Sequence, residues 1–125
     1  MTVTANRSLL VFAAANGALA VALGAFGAHG VGPEAKALLT TGAQYQMVHA
    51  ALAVACALLG RSLSGVILGG WLASVGGLVF SLALALIALA GLSFMGAVAP
   101  VGGALMIIGW GMLLLAALRH RRSAS

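Results

Sequence analysis

All seven charged side chains of this chain fall outside its apolar runs: Arg7, Glu34, Lys36, Arg61, Arg119, Arg121 and Arg122. Between them lie stretches of Ala, Leu, Val, Gly and Ile. A domain whose surface meets water devotes about 25% of its residues to charge. Here the share is 6%, so the surface is built for lipid. A bilayer core of about 30 Å takes about 20 helical residues to cross. Four such segments can be cut from the chain, at about 8–28, 40–60, 65–90 and 100–118. The strands of a membrane barrel would be alternating pieces of about ten residues. These segments are longer, continuous, and rich in the helix formers Ala and Leu. The expected fold is all-α: an integral membrane four-helix antiparallel bundle, with residues 1–125 as one transmembrane domain.

The basic residues orient it. Lys and Arg are retained on the cytoplasmic side of a membrane. With four spans, Arg7, Arg61, Arg119, Arg121 and Arg122 share one side, and only Lys36, beside Glu34, lies on the other. Five against one predicts both termini in the cytoplasm. Three spans would place Arg7 opposite the Arg119–Arg122 cluster and break the rule. Arg7, the apolar run after it and Ala18-Leu19-Ala20 resemble a signal peptide. The run is long for one, and the expectation is a retained helix. The net charge of +5 is what topology alone requires, and no nucleic-acid role is expected. Membrane lipids are the expected contact of the Arg-rich tail.

Loops are short, so consecutive helices are antiparallel neighbours. The longest connection, from His29 to about Leu39, contains Pro33 followed by Glu34. Pro in a first turn and Glu at the positive helix end mark a start there, so the second helix extends from Pro33 to Gly60. Pro100 marks the start of the fourth. Gly65, Gly69, Ala73, Gly77, Ser81 and Ala85 recur every fourth residue of the third span. Small residues let helix backbones approach closely in lipid, where van der Waals contact replaces the hydrophobic force. Gly65, Gly69, Ala73 and Gly77 are thus the expected helix-packing groove. Trp71 and Trp110 sit somewhat deep for an interfacial belt, and helix packing or anchoring explains both. Cys56 is the single cysteine, which leaves no intrachain disulfide and no multi-cysteine metal site.

Polar groups inside a membrane cost free energy unless they find partners, so each is a candidate. The set is Asn16, Gln44, Tyr45, Gln46, His49 and Ser81, with His29 at the outer end of the first span. Thr41, Tyr45 and His49 share one helix face, from which Gln44 points away. Depth estimates put Asn16 and His49 near one level, where they could meet, and Tyr45 and Ser81 near another. The expectation for His49 is a hydrogen bond to Asn16, Tyr45 or Gln46. A metal site from His29, Glu34 and His49 is not expected, because no two ligands stand four apart on one helix. A proton path ordinarily needs an intramembrane carboxylate, and the spans contain none. No acid-oriented catalytic set can be assembled in the core. No catalytic residue and no cofactor is expected.

Three motifs occur in order: Leu23-Gly-Ala-Phe-Gly-Ala-His-Gly30, Gln44-Tyr-Gln-Met-Val-His-Ala50, and Ala99-Pro-Val-Gly-Gly103 followed by Ile108-Gly-Trp110. In these the chain resembles the YgdD/YwdK family of small bacterial inner-membrane proteins. The resemblance implies four membrane helices, no assigned activity, and a gathering of His29, Gln44, Tyr45, His49 and Pro100 towards the outer half. The chain departs from the family pattern at Ala99, where Thr is usual, and at Phe80-Ser-Leu-Ala83, where the family is more polar. Two functions fit. One is a non-enzymatic accessory subunit or assembly partner packing against other membrane-protein helices, in a hetero- or homo-oligomer. The other is a small oligomeric transporter or channel with a path lined by Tyr45 and His49. An enzyme acting on a lipid or quinone has only the polar cluster to recommend it.

Overall fold

The computed structural model describes residues 4–124; the side chains of Arg61, Arg121 and Arg122 lie outside the described part. Among the described residues there are four α-helices, α1 (Arg7–His29), α2 (Pro33–Leu59), α3 (Val66–Ala90) and α4 (Ala99–Ala124), with short 3-10 turns at Gly60–Ser62 and Ser93–Ala97. The α-helices contain 23, 27, 25 and 26 residues, or about 35–40 Å each at 1.5 Å per residue. All four are long and apolar enough to cross a membrane.

Their ends follow from local chemistry. Asn6 caps α1, its side-chain oxygen accepting from the Leu9 N–H at 3.0 Å. Pro33 and Glu34 open α2. Gly91 ends α3 with φ +66°, a left-handed conformation natural to glycine, and the Leu92 N–H reaches back to the Leu86 carbonyl at 3.3 Å. Gly65 precedes α3 with φ +90°. Glycine is therefore required there by a turn, and the position also borders α4. The nearest atom to a Cβ there would be the Met112 methyl, at 3.9 Å.

Neighbouring helices run antiparallel, as their contacts show. Along α1 and α2, the Asn6 N–H donates to the Ala57 carbonyl, Gly17 faces Ala50, Gly24 faces Ala43 and Gly27 faces Leu39. Along α2 and α3, Gly42 meets Ser81, Gln46 and His49 meet Gly77, and Cys56 meets Gly70. On α3 and α4, Gly69 meets Gly109 and Gly76 meets Gly102. The pair α2–α3 is central; α1 lies mainly on α2, and α4 lies on α3.

The α3–α4 crossing is the closest. A Cβ on Gly102 would lie 2.6 Å from the Phe80 nitrogen and 2.7 Å from the Gly76 carbonyl oxygen. One on Gly109 would lie 2.8 Å from the Gly69 carbonyl oxygen. Two glycine pairs, one heptad apart on each helix, thus bring backbone against backbone. This is the small-residue packing that replaces hydrophobic attraction in lipid. The stripe read from the sequence divides between two partners: Gly69 and Ala73 face α4, while Gly77 and Ser81 face α2.

One end of the bundle gathers Asn6, the 60–65 connection and the last described turns of α4. Ser62, Ser64, Arg119 and His120 line one hollow there. Beneath it, Leu9, Ala13, Ala53, Cys56, Ala57, Val66 and Ala116 form an apolar cluster from all four helices. Trp71 packs against that cluster, and its ring meets Phe12 with centroids 5.2 Å apart.

Candidate functional site

Two polar constellations occupy the apolar middle of the helices, on opposite sides of the α2–α3 pair. The first joins α1, α2 and α3. Asn16 Nδ2 donates to the Ser74 carbonyl and to Ser74 Oγ, both at 2.9 Å. Gln46 Nε2 donates to Asn16 Oδ1 at 2.6 Å and to the Asn16 carbonyl at 3.3 Å. Asn16, Gln46 and Ser74 are buried, Gln46 and Ser74 completely. The amide orientations follow from the network: Asn16 must offer its NH₂ to a carbonyl, which leaves its oxygen for Gln46. Gln46 Oε1 is buried with no hydrogen-bond partner among the described residues.

The second constellation joins α2 and α4 across α3. Trp110 Nε1 donates to His49 Nε2 at 3.0 Å. An indole N–H can only donate, so Nε2 is the unprotonated nitrogen. Nδ1 therefore holds the ring proton and donates it to the Tyr45 carbonyl, 2.6 Å away. Both nitrogens are engaged and the tautomer is determined. Gly77 makes the arrangement possible. A Cβ there would lie 3.2 Å from the Gln46 Cα and 3.3 Å from the His49 Cβ, so a larger side chain would push α2 outward and part His49 from Trp110.

Around His49 the Tyr45 ring lies nearly parallel to the imidazole, with centroids 6.4 Å apart, and two further pairs pack edge to face. Tyr45 and Phe80 have centroids 5.1 Å apart, and His49 and Trp110 are 6.0 Å apart. Tyr45, His49, Phe80, Gly103, Met106, Ile107 and Trp110 line an open groove of about 380 Å³. His49 is 5% exposed at its floor, whereas Tyr45 and Trp110 are about half exposed at its rim.

The structure regroups the residues singled out from the sequence. Asn16 does not meet His49. It meets Gln46 and Ser74, because Gln46 is the residue of α2 turned towards α1, whereas His49, about 60° further round the helix, is turned towards α4. Of the partners expected for His49, Tyr45 contributes its backbone carbonyl, and the second partner comes from α4. Ser81 is buried against Gly42. His29 ends α1, exposed, and among the described residues no three potential metal ligands cluster. Gln44 is exposed on α2 and, like the Tyr45 hydroxyl, has no hydrogen-bond partner among the described residues. Sequence reasoning missed Ser74 and the role of Trp110. The clue to Trp110 was its depth, which an interfacial belt did not explain.

Fold and constellations define an all-helical integral membrane protein whose inward polar side chains engage one another. The profile of a protein family of unknown function, DUF423, matches residues 23–103, and the chain belongs to that family. The match includes Gln44, Tyr45, Gln46, His49 and Ser74, while Asn16 and Trp110 lie outside it. No curated protein and no solved structure matches the chain.

Proposed function

We propose that this protein is a non-enzymatic membrane component, an accessory or assembly partner that works by packing against other membrane helices. Its place would be the bacterial cytoplasmic (inner) membrane, with both termini cytoplasmic, and its kin the YgdD/YwdK proteins that its motifs resemble. The observation that carries the reading is the outward placement of Gln44 and the Tyr45 hydroxyl, without partners, part-way along an apolar helix. Unpaired polar groups in hydrocarbon are costly, and a neighbouring helix that pairs with them removes the cost. The inward polar groups support the same reading, because hydrogen bonds that tie helices together leave those groups committed to structure.

The test is purification in mild detergent from native membranes, followed by mass measurement of the intact particle. An assembly larger than one chain is expected. A stable monomer that remains a monomer in lipid nanodiscs would defeat the proposal.

A second reading, a small oligomeric transporter or channel, rests on the groove over Tyr45 and His49. In it, any proton reaching His49 Nε2 must first displace the Trp110 indole. Proton-coupled flux in liposomes, lost in His49→Leu at unchanged stability, would favour this reading.

A further inference from the structure

We infer that the unpaired face of α2 is a homodimer seam, in which Gln44 pairs with Gln44 of a second copy of this chain. The inference rests on the helix-packing function proposed above and names its partner.

Gln44 is in the apolar part of the structure. Gly42, half a turn away, abuts Ser81, and α3 continues outward from Ser81 through nine apolar residues, Leu82 to Ala90. A side-chain amide at that depth needs both an acceptor for its NH₂ and a donor for its oxygen. Nothing among the described residues supplies either.

The surroundings of Gln44 suit a helix. Thr41, Gln44, Val48, Ala51 and Ala55 alternate in steps of three and four and are all exposed. On a helix they form a strip about 21 Å long and under a quarter-turn wide. Four of the five are Ala, Val or Thr, small enough for a second backbone to approach. A lipid-phase molecule would meet Gln44 but would leave most of so long a strip uncovered. On α4, by contrast, the exposed positions include Val101, Ile107, Ile108, Leu114, Leu115 and Leu118, bulky chains suited to lipid.

Symmetry selects the partner. Copies inserted in the same sense can be related by a two-fold axis only if it runs along the membrane normal. Their α2 helices are then parallel, and each residue at the axis meets its twin at its own depth. An amide suits that position because it both donates and accepts, so two glutamines can satisfy each other. A single polar residue on an otherwise apolar seam also sets register and oligomeric state, as it does in coiled coils.

The experiment leaves Gln44 in place and probes either side of it. In full-length Cys56→Ala protein, which removes the buried native thiol, Thr41→Cys and Val48→Cys are introduced separately. Ile107→Cys, at a position 73% exposed on α4, is the collision control. Oxidation in liposomes at low protein density should link the first two into disulfide dimers and leave the control monomeric. Adding Gln44→Leu should weaken dimerisation about tenfold, and Gln44→Asn should restore most of it. Cross-linking at 41 and 48 no greater than at 107 would overturn the inference. So would cross-linking that is indifferent to Gln44→Leu, as expected if a small polar lipid-phase molecule pairs with the amide. A native particle containing a different protein, with no self-linking, would overturn the homodimer and leave the proposed function standing. A lone monomer would end both.

Discussion

Trp110 decides which nitrogen of His49 holds the proton. The indole donates to Nε2 at 3.0 Å, so the ring proton must lie on Nδ1, facing the Tyr45 carbonyl. The bond links α2 to α4, two helices that otherwise pack mainly on α3. It also makes His49 part of the scaffold, since a ring with both nitrogens engaged is held in place.

Trp110→Phe should release Nε2 while keeping an aromatic ring. Nitrogen NMR of ring-labelled histidine should then change from a single Nδ1–H tautomer to a mixture. Tyr45→Phe should leave the tautomer unaltered, because the acceptor is a backbone oxygen. The expected stability loss for Trp110→Phe is about 0.6–2 kcal/mol, the range for hydrogen bonds between membrane helices. An unchanged spectrum in Trp110→Phe would show that the indole does not hold the tautomer.

Asn16 is the hub of the other network, bonded to Ser74 and Gln46 at once. Asn16→Ala leaves two buried partners unsatisfied and should cost about 1–3 kcal/mol. Ser74→Ala should cost less, since the Ser74 carbonyl still accepts from Asn16. Thermal unfolding in detergent measures both. In the cycle with Gln46→Ala, the double variant should be less destabilised than the sum of the singles, by about 0.5–3 kcal/mol. Strict additivity would mean that the two amides do not interact.

The four helices were legible because lipid leaves few ways to satisfy a backbone and charge can stay only at the ends. Pro33 and Glu34 even marked where α2 begins, ahead of its apolar stretch. Side-chain pairing was harder to read, because it depends on helix rotation as well as depth. Asn16 and His49 lie near one depth, yet Gln46 is the residue of α2 that turns towards α1. Spacing by four found Gly69 and Gly77 but not Gly76, Gly102 and Gly109. In a chain with 18 glycines, those that touch a neighbouring backbone stand out only once the helices are placed. Gln44 was readable as pointing away from His49; that no partner among the described residues meets it required coordinates.

The basic end of the bundle bears on topology. Asn6, next to Arg7, is bonded to Ala57, and Ser62 and Ser64 share a hollow with Arg119 and His120. Lys36 and Glu34 lie at the start of α2, at the opposite end. If Lys and Arg are retained on the cytoplasmic side, that end of the bundle is expected to face the cytoplasm. Reporter tags before Met1 and, separately, after Ser125 should each be accessible only from that side. A tag that reads as external at either end would sink the arrangement.

The glycine pairs between α3 and α4 give a comparison with its own control. Gly102 and Gly103 are adjacent in sequence and on the same helix, so Gly→Ala brings the same gain in helix propensity to each, up to about 1 kcal/mol. Their surroundings differ. A Cβ at 102 would meet the Phe80 nitrogen, the Gly76 oxygen and the Phe80 Cα within 2.9 Å, whereas at 103 nothing lies within 4 Å. The obstruction at 102 is backbone, which no rotamer change relieves, so α4 must move away from α3. Overpacking of that kind costs about 1–3 kcal/mol, enough to outweigh the propensity gain. Gly102→Ala should therefore lower the unfolding temperature, and Gly103→Ala should hold or raise it. Because α4 presents Trp110 to His49, Gly102→Ala should also disturb the His49 tautomer. Equal stability of the two variants would mean that α3 and α4 do not meet at Gly76 and Gly102.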